Sequence, residues 1–183
     1  MNRSLLAFAA LVAFPAFAAV AKGEPPRTSP ASARQQSARA ASLFEKWLNE
    51  DVVYIAAKDE RETFLKLASN REREKFIEQF WLRRDPTPDS IENEFKEEHY
   101  RRIAYTNENF ASGIPGWKTD RGRIYIQLGP PDEIESHPSG GAASPPFEMW
   151  RYHRSGALGK NVDMKFVDQA RNGDFRLVTE EAR

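Results

Sequence analysis

Apolar residues along this chain change their spacing near residue 115. Upstream they recur every three or four positions, as on a helix with one buried face; downstream they alternate, as on a half-buried strand. Leu43, Phe44, Trp47 and Leu48 make two i, i+4 pairs and predict a helix over 38–50. Asp59, followed by Glu60 and Glu62, is expected to cap a short helix through Leu67 that turns Phe64, Leu65 and Ala68 inward. Ser69 or Asn70 caps the next, over 71–84, whose Phe76, Ile77, Phe80 and Trp81 share one side. It stops at Asp85-Pro86, since a residue before proline disfavours helical angles. Thr87-Pro88 is expected to start a fourth helix running to about Asn109, with Ile91, Phe95, Ile103 and Phe110 toward the core. The run Val52-Val53-Tyr54-Ile55 fits either a short strand or a buried apolar connection.

In the second half, Ile124, Ile126 and Leu128 alternate with Tyr125 and Gln127 and predict a strand over 123–128. The turn residues Thr119-Asp120-Arg121-Gly122 lead into it. Gly129-Pro130-Pro131 ends it, because prolines lack an amide donor. Asp120 is expected to accept the amide two residues on, and Trp117, between Gly116 and this turn, to plug the seam between helices and sheet. Asp132 and Glu133 begin a loop, and 136–146 is rich in Gly, Ser and Pro. Further strands are predicted over 147–153, 162–168 and 175–180, the last two joined by a turn at Asn172-Gly173. Loops this short exclude helical crossovers. The expected class is therefore α+β, with about four helices packed on an antiparallel sheet of about four strands. One domain is expected over 38–183, its helical half 38–110 and its strand half 116–180.

Gly116-Trp117-Lys118-Thr119-Asp120 carries the motif that names the GWxTD domain family, and the chain resembles that family beyond those five residues. Arg121-Gly122-Arg123, the Ile124-Tyr125-Ile126 run and Gly129-Pro130-Pro131-Asp132-Glu133 are similar to it, as are Phe80-Trp81 and Arg84-Asp85-Pro86-Thr87-Pro88 upstream. The likeness extends from about Leu43 to the end. It implies an exported bacterial protein and brings no activity with it.

Residues 1–21 have the parts of a secretory signal: Asn2-Arg3, an apolar run from Leu5 to Phe14, and small-x-small sites at Ala16-Phe17-Ala18 and Ala19-Val20-Ala21. The apolar run is shorter than the ~20 residues that span a bilayer. Export to the periplasm or the outside is expected, with no transmembrane segment after cleavage. Residues 22–37 read as a flexible linker rich in Pro, Ser, Arg and Ala. Removing the leader takes away Arg3 alone and leaves 26 basic residues against 27 acidic ones, a balance that argues against nucleic acid as a partner. With no cysteine, the chain forms no disulfide and offers no thiol nucleophile.

No catalytic constellation and no cofactor site emerges from these residues. His99 beside Glu98, one turn from Glu94, lacks the second histidine of a helical zinc motif and reads as an ordinary helix face, so no metal is expected. The motif residues Gly116, Trp117, Thr119, Asp120, Arg121, Gly122, Gly129, Pro130, Pro131 and Asp132 read as structural. Arg84, Asp85 and Arg121 are expected to form a polar seam between helices and sheet. The leading functional expectation is a non-catalytic module that contacts a protein or a glycan of the cell envelope. Two alternatives stay open: an envelope hydrolase using Asp120, Asp132 and Glu133, and a carbohydrate- or peptide-binding module using an aromatic face of Trp117, Tyr125, Trp150 and Tyr152.

Overall fold

The computed structural model describes residues 29–139, 144–153 and 161–182; the leader 1–21 and the first part of the linker lie outside them. Among the described residues, five α-helices precede a four-stranded antiparallel sheet, an α+β architecture. Helix α1, Pro30–Lys46, begins within the stretch expected as linker. Ser29 caps it by accepting the Ser32 amide, Pro30 occupies the first turn, and the Ala, Gln and Arg residues that follow are good helix formers. A π-helical turn, Trp47–Asp51, continues it. The run 52–55 is a turn and not a strand: the Ile55 and Ala56 amides both donate to the Val52 carbonyl.

Helix α2, Lys58–Lys66, has Ala57 rather than Asp59 at its N-cap. Ala57 has no side-chain acceptor, and Glu60 accepts its amide instead. Helix α3, Asn70–Leu82, has a complete capping box, with Ser69 accepting the Glu72 amide and Glu72 the Ser69 amide. Helix α4 spans Glu94–Asn109 and starts later than Thr87-Pro88 suggests. Asp85 accepts the Thr87 amide and turns the chain there, while Asn93 caps α4 by accepting the Lys96 amide. Asn93 also donates to the Trp81 carbonyl, which fixes the end of the loop against α3.

The main correction concerns 123–128. Asp120–Leu128 is helix α5, capped by Thr119, and no strand forms there. Arg121, Ile124, Tyr125 and Leu128 are spaced as one helical face and meet the sheet, while Gly122 and Ile126 are buried on the α4 side. A helix covered on two sides shows little polar periodicity, so its apolar residues mimic strand alternation.

The sheet is a meander of β1 (Glu133–His137), β2 (Phe147–Tyr152), β3 (Val162–Val167) and β4 (Arg176–Ala182), in that order and antiparallel throughout. The fourth strand thus comes from residues expected as loop. Ile134 pairs with Trp150 and Glu135 with Met149, which places Glu133, Glu135 and His137 on the face away from the helices.

Two apolar clusters form. Trp47, Leu48, Val52, Phe64, Phe80 and Trp81 fill the helical one, with Trp47 and Phe80 edge to face at 5.1 Å. Phe110 and Ile124 from the helical side meet Trp150, Tyr152, Val162, Met164 and Phe166 in the other. Helix α4 serves both: Tyr100 packs on the first cluster and Phe110, at its end, belongs to the second.

Candidate functional site

The motif residues lie where α4, α5 and β4 meet. Gly116 opens a 3-10 turn, Gly116–Lys118, laid on the backbone of α4. A Cβ on Gly116 would stand 1.8 Å from the Thr106 carbonyl oxygen, and one on Gly122 1.9 Å from that of Gly116. Three backbones therefore stack at distances only glycine permits. Thr119 ties the stack: its hydroxyl donates to the Gly116 carbonyl at 2.7 Å and accepts the Gly122 amide at 3.0 Å.

Asp120 does not accept an amide from its own turn. Its Oδ2 accepts the Leu177 amide at 2.9 Å, so the first residue of α5 holds the start of β4. Arg121 lies with its guanidinium 4.8 Å from the Phe110 ring centre and 4.1 Å from that of Phe175. It donates to Glu148 at 3.0 Å and to the Gly173 carbonyl at 3.3 Å. The second Glu148 oxygen accepts the Trp150 indole at 3.0 Å. Both Glu148 oxygens in this largely buried ion pair are engaged, whereas on Arg121 the two terminal nitrogens donate and the buried Nε is left without a partner. Sequence reasoning passed over Glu148, although alternation along β2 puts it on the same side as Trp150 and Tyr152.

Trp117 is half-buried and faces the helical side. Its carbonyl accepts the Tyr54 hydroxyl at 3.1 Å, its amide donates to Asn107, and its ring meets that of Tyr54 at 6.2 Å. Trp117 thus touches the helices, while Asp120 and Arg121 reach the sheet. At the far end of α5, Gly129 takes φ +86° and its carbonyl accepts the Tyr152 hydroxyl at 3.1 Å. Burial pushes that hydroxyl above the ordinary phenol range. Pro130 is exposed, Pro131 is half-buried, and Asp132 accepts the His153 amide at 2.5 Å.

The expected polar seam of Arg84, Asp85 and Arg121 does not form. Arg84 pairs with Glu60 at 2.6 Å in the helical half, Arg121 pairs with Glu148 in the sheet half, and Asp85 holds its own turn. Burial alone would raise the Glu60 carboxyl. Bonds from Arg84, the Ala57 amide and Arg83 outweigh it and bring the group down to about 2.

The three carboxylates weighed for hydrolysis are each engaged: Asp120 by the Leu177 amide, Asp132 by the His153 amide, and Glu133 by Arg151 at 3.2 Å. Glu133 and Glu135 stand either side of Arg151 on the outer face of the sheet. Bonds from His153 and His137 respectively, then from Arg151, lower their carboxyls. The four aromatics do not share an open face. Trp150 and Tyr152 are 1 % and 2 % exposed, Tyr125 stacks on Tyr105, and Trp117 meets Tyr54.

His99 is buried beside Trp81, with Nε2 donating to the Asp51 carbonyl at 2.6 Å. Burial lowers its basicity, against the opposing pull of that bond. Glu98 turns to Arg101 and Arg102, and Glu94 to Thr87. Among the described residues, no group of three or more His, Asp or Glu is placed to hold a metal ion.

The GWxTD domain family model matches residues 39–182, most of the chain, and the protein belongs to that family. No curated protein and no solved structure matches it. Among the described residues, no helix is long and apolar enough to cross a membrane.

Proposed function

We propose that this protein is an exported, non-catalytic module that works by contact with a component of the cell envelope. One observation carries the reading: Thr119, Asp120 and Arg121, the chemistry-bearing side chains of the family motif, each spend their bonds inside the fold, joining α5 to the turn before it and to the sheet. A hydrolytic site needs its acid or base within reach of a substrate proton, and these groups reach backbone amides and carbonyls and the half-buried Glu148 instead. The surface itself carries large apolar side chains elsewhere, among them Leu65, Ile91 and Leu82.

Export rests on the leader-like residues 1–21. The test is in two parts. Expressed with its own leader, the protein should be recovered shortened from the periplasm or the medium; cytoplasmic recovery at full length ends the export reading. Used as bait in an envelope extract, it should retain a discrete component and release no product from envelope glycan or peptide substrates. Turnover abolished by Asp120→Asn in a variant of unchanged melting temperature would overturn the non-catalytic reading.

A further inference from the structure

Between α3 and α4 the chain runs over the surface, and here the pattern of exposure is unusual. Ile91 is fully exposed at 105 %, Leu82 is 48 % exposed and Phe95 37 %. Single surface isoleucines are common and need no explanation. This one stands between two adjoining grooves of about 610 and 280 Å³, which share Ile91, Asn93 and Lys96. The floor of the smaller groove includes Trp81, with Phe95 6.4 Å away ring to ring.

The loop is held, so Ile91 is presented and not merely loose. The Ser90 amide donates to the Thr87 carbonyl at 2.9 Å, the Ser90 hydroxyl to the Glu92 carbonyl at 2.6 Å, and Asn93 to the Trp81 carbonyl at 2.8 Å. Two bonded turns thus flank a residue whose side chain touches water on all sides. Ordering it there gains nothing for folding, since no apolar surface is covered.

Charge supplies the second observation. Four carboxylates, Glu78, Asp85, Glu92 and Glu97, line the two grooves against one cation, Lys96. None of the four is ion-paired among the described residues, whereas Glu60 pairs with Arg83 and Arg84 and Glu98 with Arg101 and Arg102. The chain as a whole carries equal numbers of acidic and basic residues, so the excess here is local. An apolar knob ringed by unneutralised carboxylates repels an anionic lipid surface and gives a neutral glycan no use for the charge. It complements a cationic segment with apolar side chains, for which the carboxylates give orientation and on-rate and the grooves give hold.

Resting on the contact role argued above, we propose that the Ile91 loop and the two grooves beside it dock a basic amphipathic segment of a partner protein. Apolar side chains of that segment sit against Ile91 and Leu82, and its lysines or arginines face Glu78, Glu92 and Glu97.

The test uses the purified protein and a short synthetic helix with leucines on one face and lysines on its flanks, labelled for fluorescence anisotropy. A control peptide keeps the lysines and replaces the leucines by serine. Binding to the first peptide should weaken at least tenfold in Ile91→Ser and be lost in Glu92→Lys combined with Glu97→Lys, with melting temperatures unchanged. The control peptide should bind at least tenfold more weakly than the first. Equal binding of the two peptides, or no effect of Ile91→Ser, would mean charge attraction without a docking site and overturns the proposal. So does no binding at all, and so does a concentration-dependent dimer that Ile91→Ser dissolves, which would make a second copy the occupant. If the peptide arm fails while the protein still retains an envelope component, this surface is wrong and the contact role survives. Substrate turnover with nothing retained removes both.

Discussion

Replacing Gly122 by alanine sets two effects of opposite sign against each other. Gly122 lies in the first turn of α5, and alanine there is favoured on helix propensity by up to about 1 kcal/mol. Its Cβ would lie 1.9 Å from the Gly116 carbonyl oxygen, 2.8 Å from the carbonyl carbon and 3.1 Å from the Thr119 hydroxyl. Ordinary contact begins at 3.4 Å, so the gap must open by about 1.5 Å. Neither Gly116 atom belongs to a side chain that can rotate away, and Gly116 is itself seated on the Thr106 carbonyl. Opening the gap strains both Thr119 bonds. Overpacking costs about 1–3 kcal/mol and each buried bond left unmade about 1–3 kcal/mol more. With one of the two bonds lost and the propensity gain set against it, the net loss is about 1–5 kcal/mol, or roughly 2–20 °C in melting temperature for a chain of this size. Thermal and urea denaturation followed by circular dichroism read it directly. Gly113→Ala is the control: it has φ +74° and nothing within 4 Å of its Cβ position, so it pays about 1 kcal/mol for backbone conformation alone. A Gly122→Ala variant that melts at or above the parent refutes the stacked-backbone joint.

Two further outcomes follow from the same contacts. Asp120→Ala strips the Leu177 amide of its acceptor and should cost about 1–2 kcal/mol, with Asp120→Asn recovering part of it. Amide exchange at Leu177 should quicken in the alanine variant, and unchanged protection there counts against the bond. Glu60, held at about 2 against an ordinary 4.5, is depressed in the folded state. Its contribution is therefore complete above about 4.5 and is lost as pH falls toward about 2. Glu60→Gln should lower stability at neutral pH by about 1–2 kcal/mol, after allowance for solvent around the pair, and flatten the acid limb between those values. A parallel limb in parent and variant would show that the Arg84 pair contributes nothing.

Much of the fold was legible because its local signals agree with one another. Ser69, one of the two cap candidates, caps α3, and the alternation of Phe147 to Tyr152 survives as β2 with Trp150 and Tyr152 inward. Where a signal had two meanings the reading slipped. Thr87-Pro88 looks like a helix start, but Asp85 bonds the Thr87 amide and Asn93, six residues on, supplies the cap. Glu133 to His137 carries few apolar residues because its edge strand faces water, so it passed for loop.

The motif itself shows why the site was harder than the fold. Thr, Asp and Gly before an apolar run describe a turn into a strand and a capped helix equally well, since the same short side chains serve both by bonding nearby amides. What separates the two is tertiary: Gly122 in a helix is a poor local choice until the Gly116 carbonyl is known to stand 1.9 Å from where its Cβ would be. Alternating Ile124, Ile126 and Leu128 are a poor helical stripe until the sheet covers one side and α4 the other. Asp120 has an acceptor role whose partner lies 57 residues away. A joint is defined by what it joins: Thr119 bonds within its own turn, but Gly116 meets Thr106, Asp120 meets Leu177 and Arg121 meets Glu148, all remote in sequence. Local propensity, the only thing a single chain displays openly, therefore points the wrong way at the place where the motif makes its tertiary contacts.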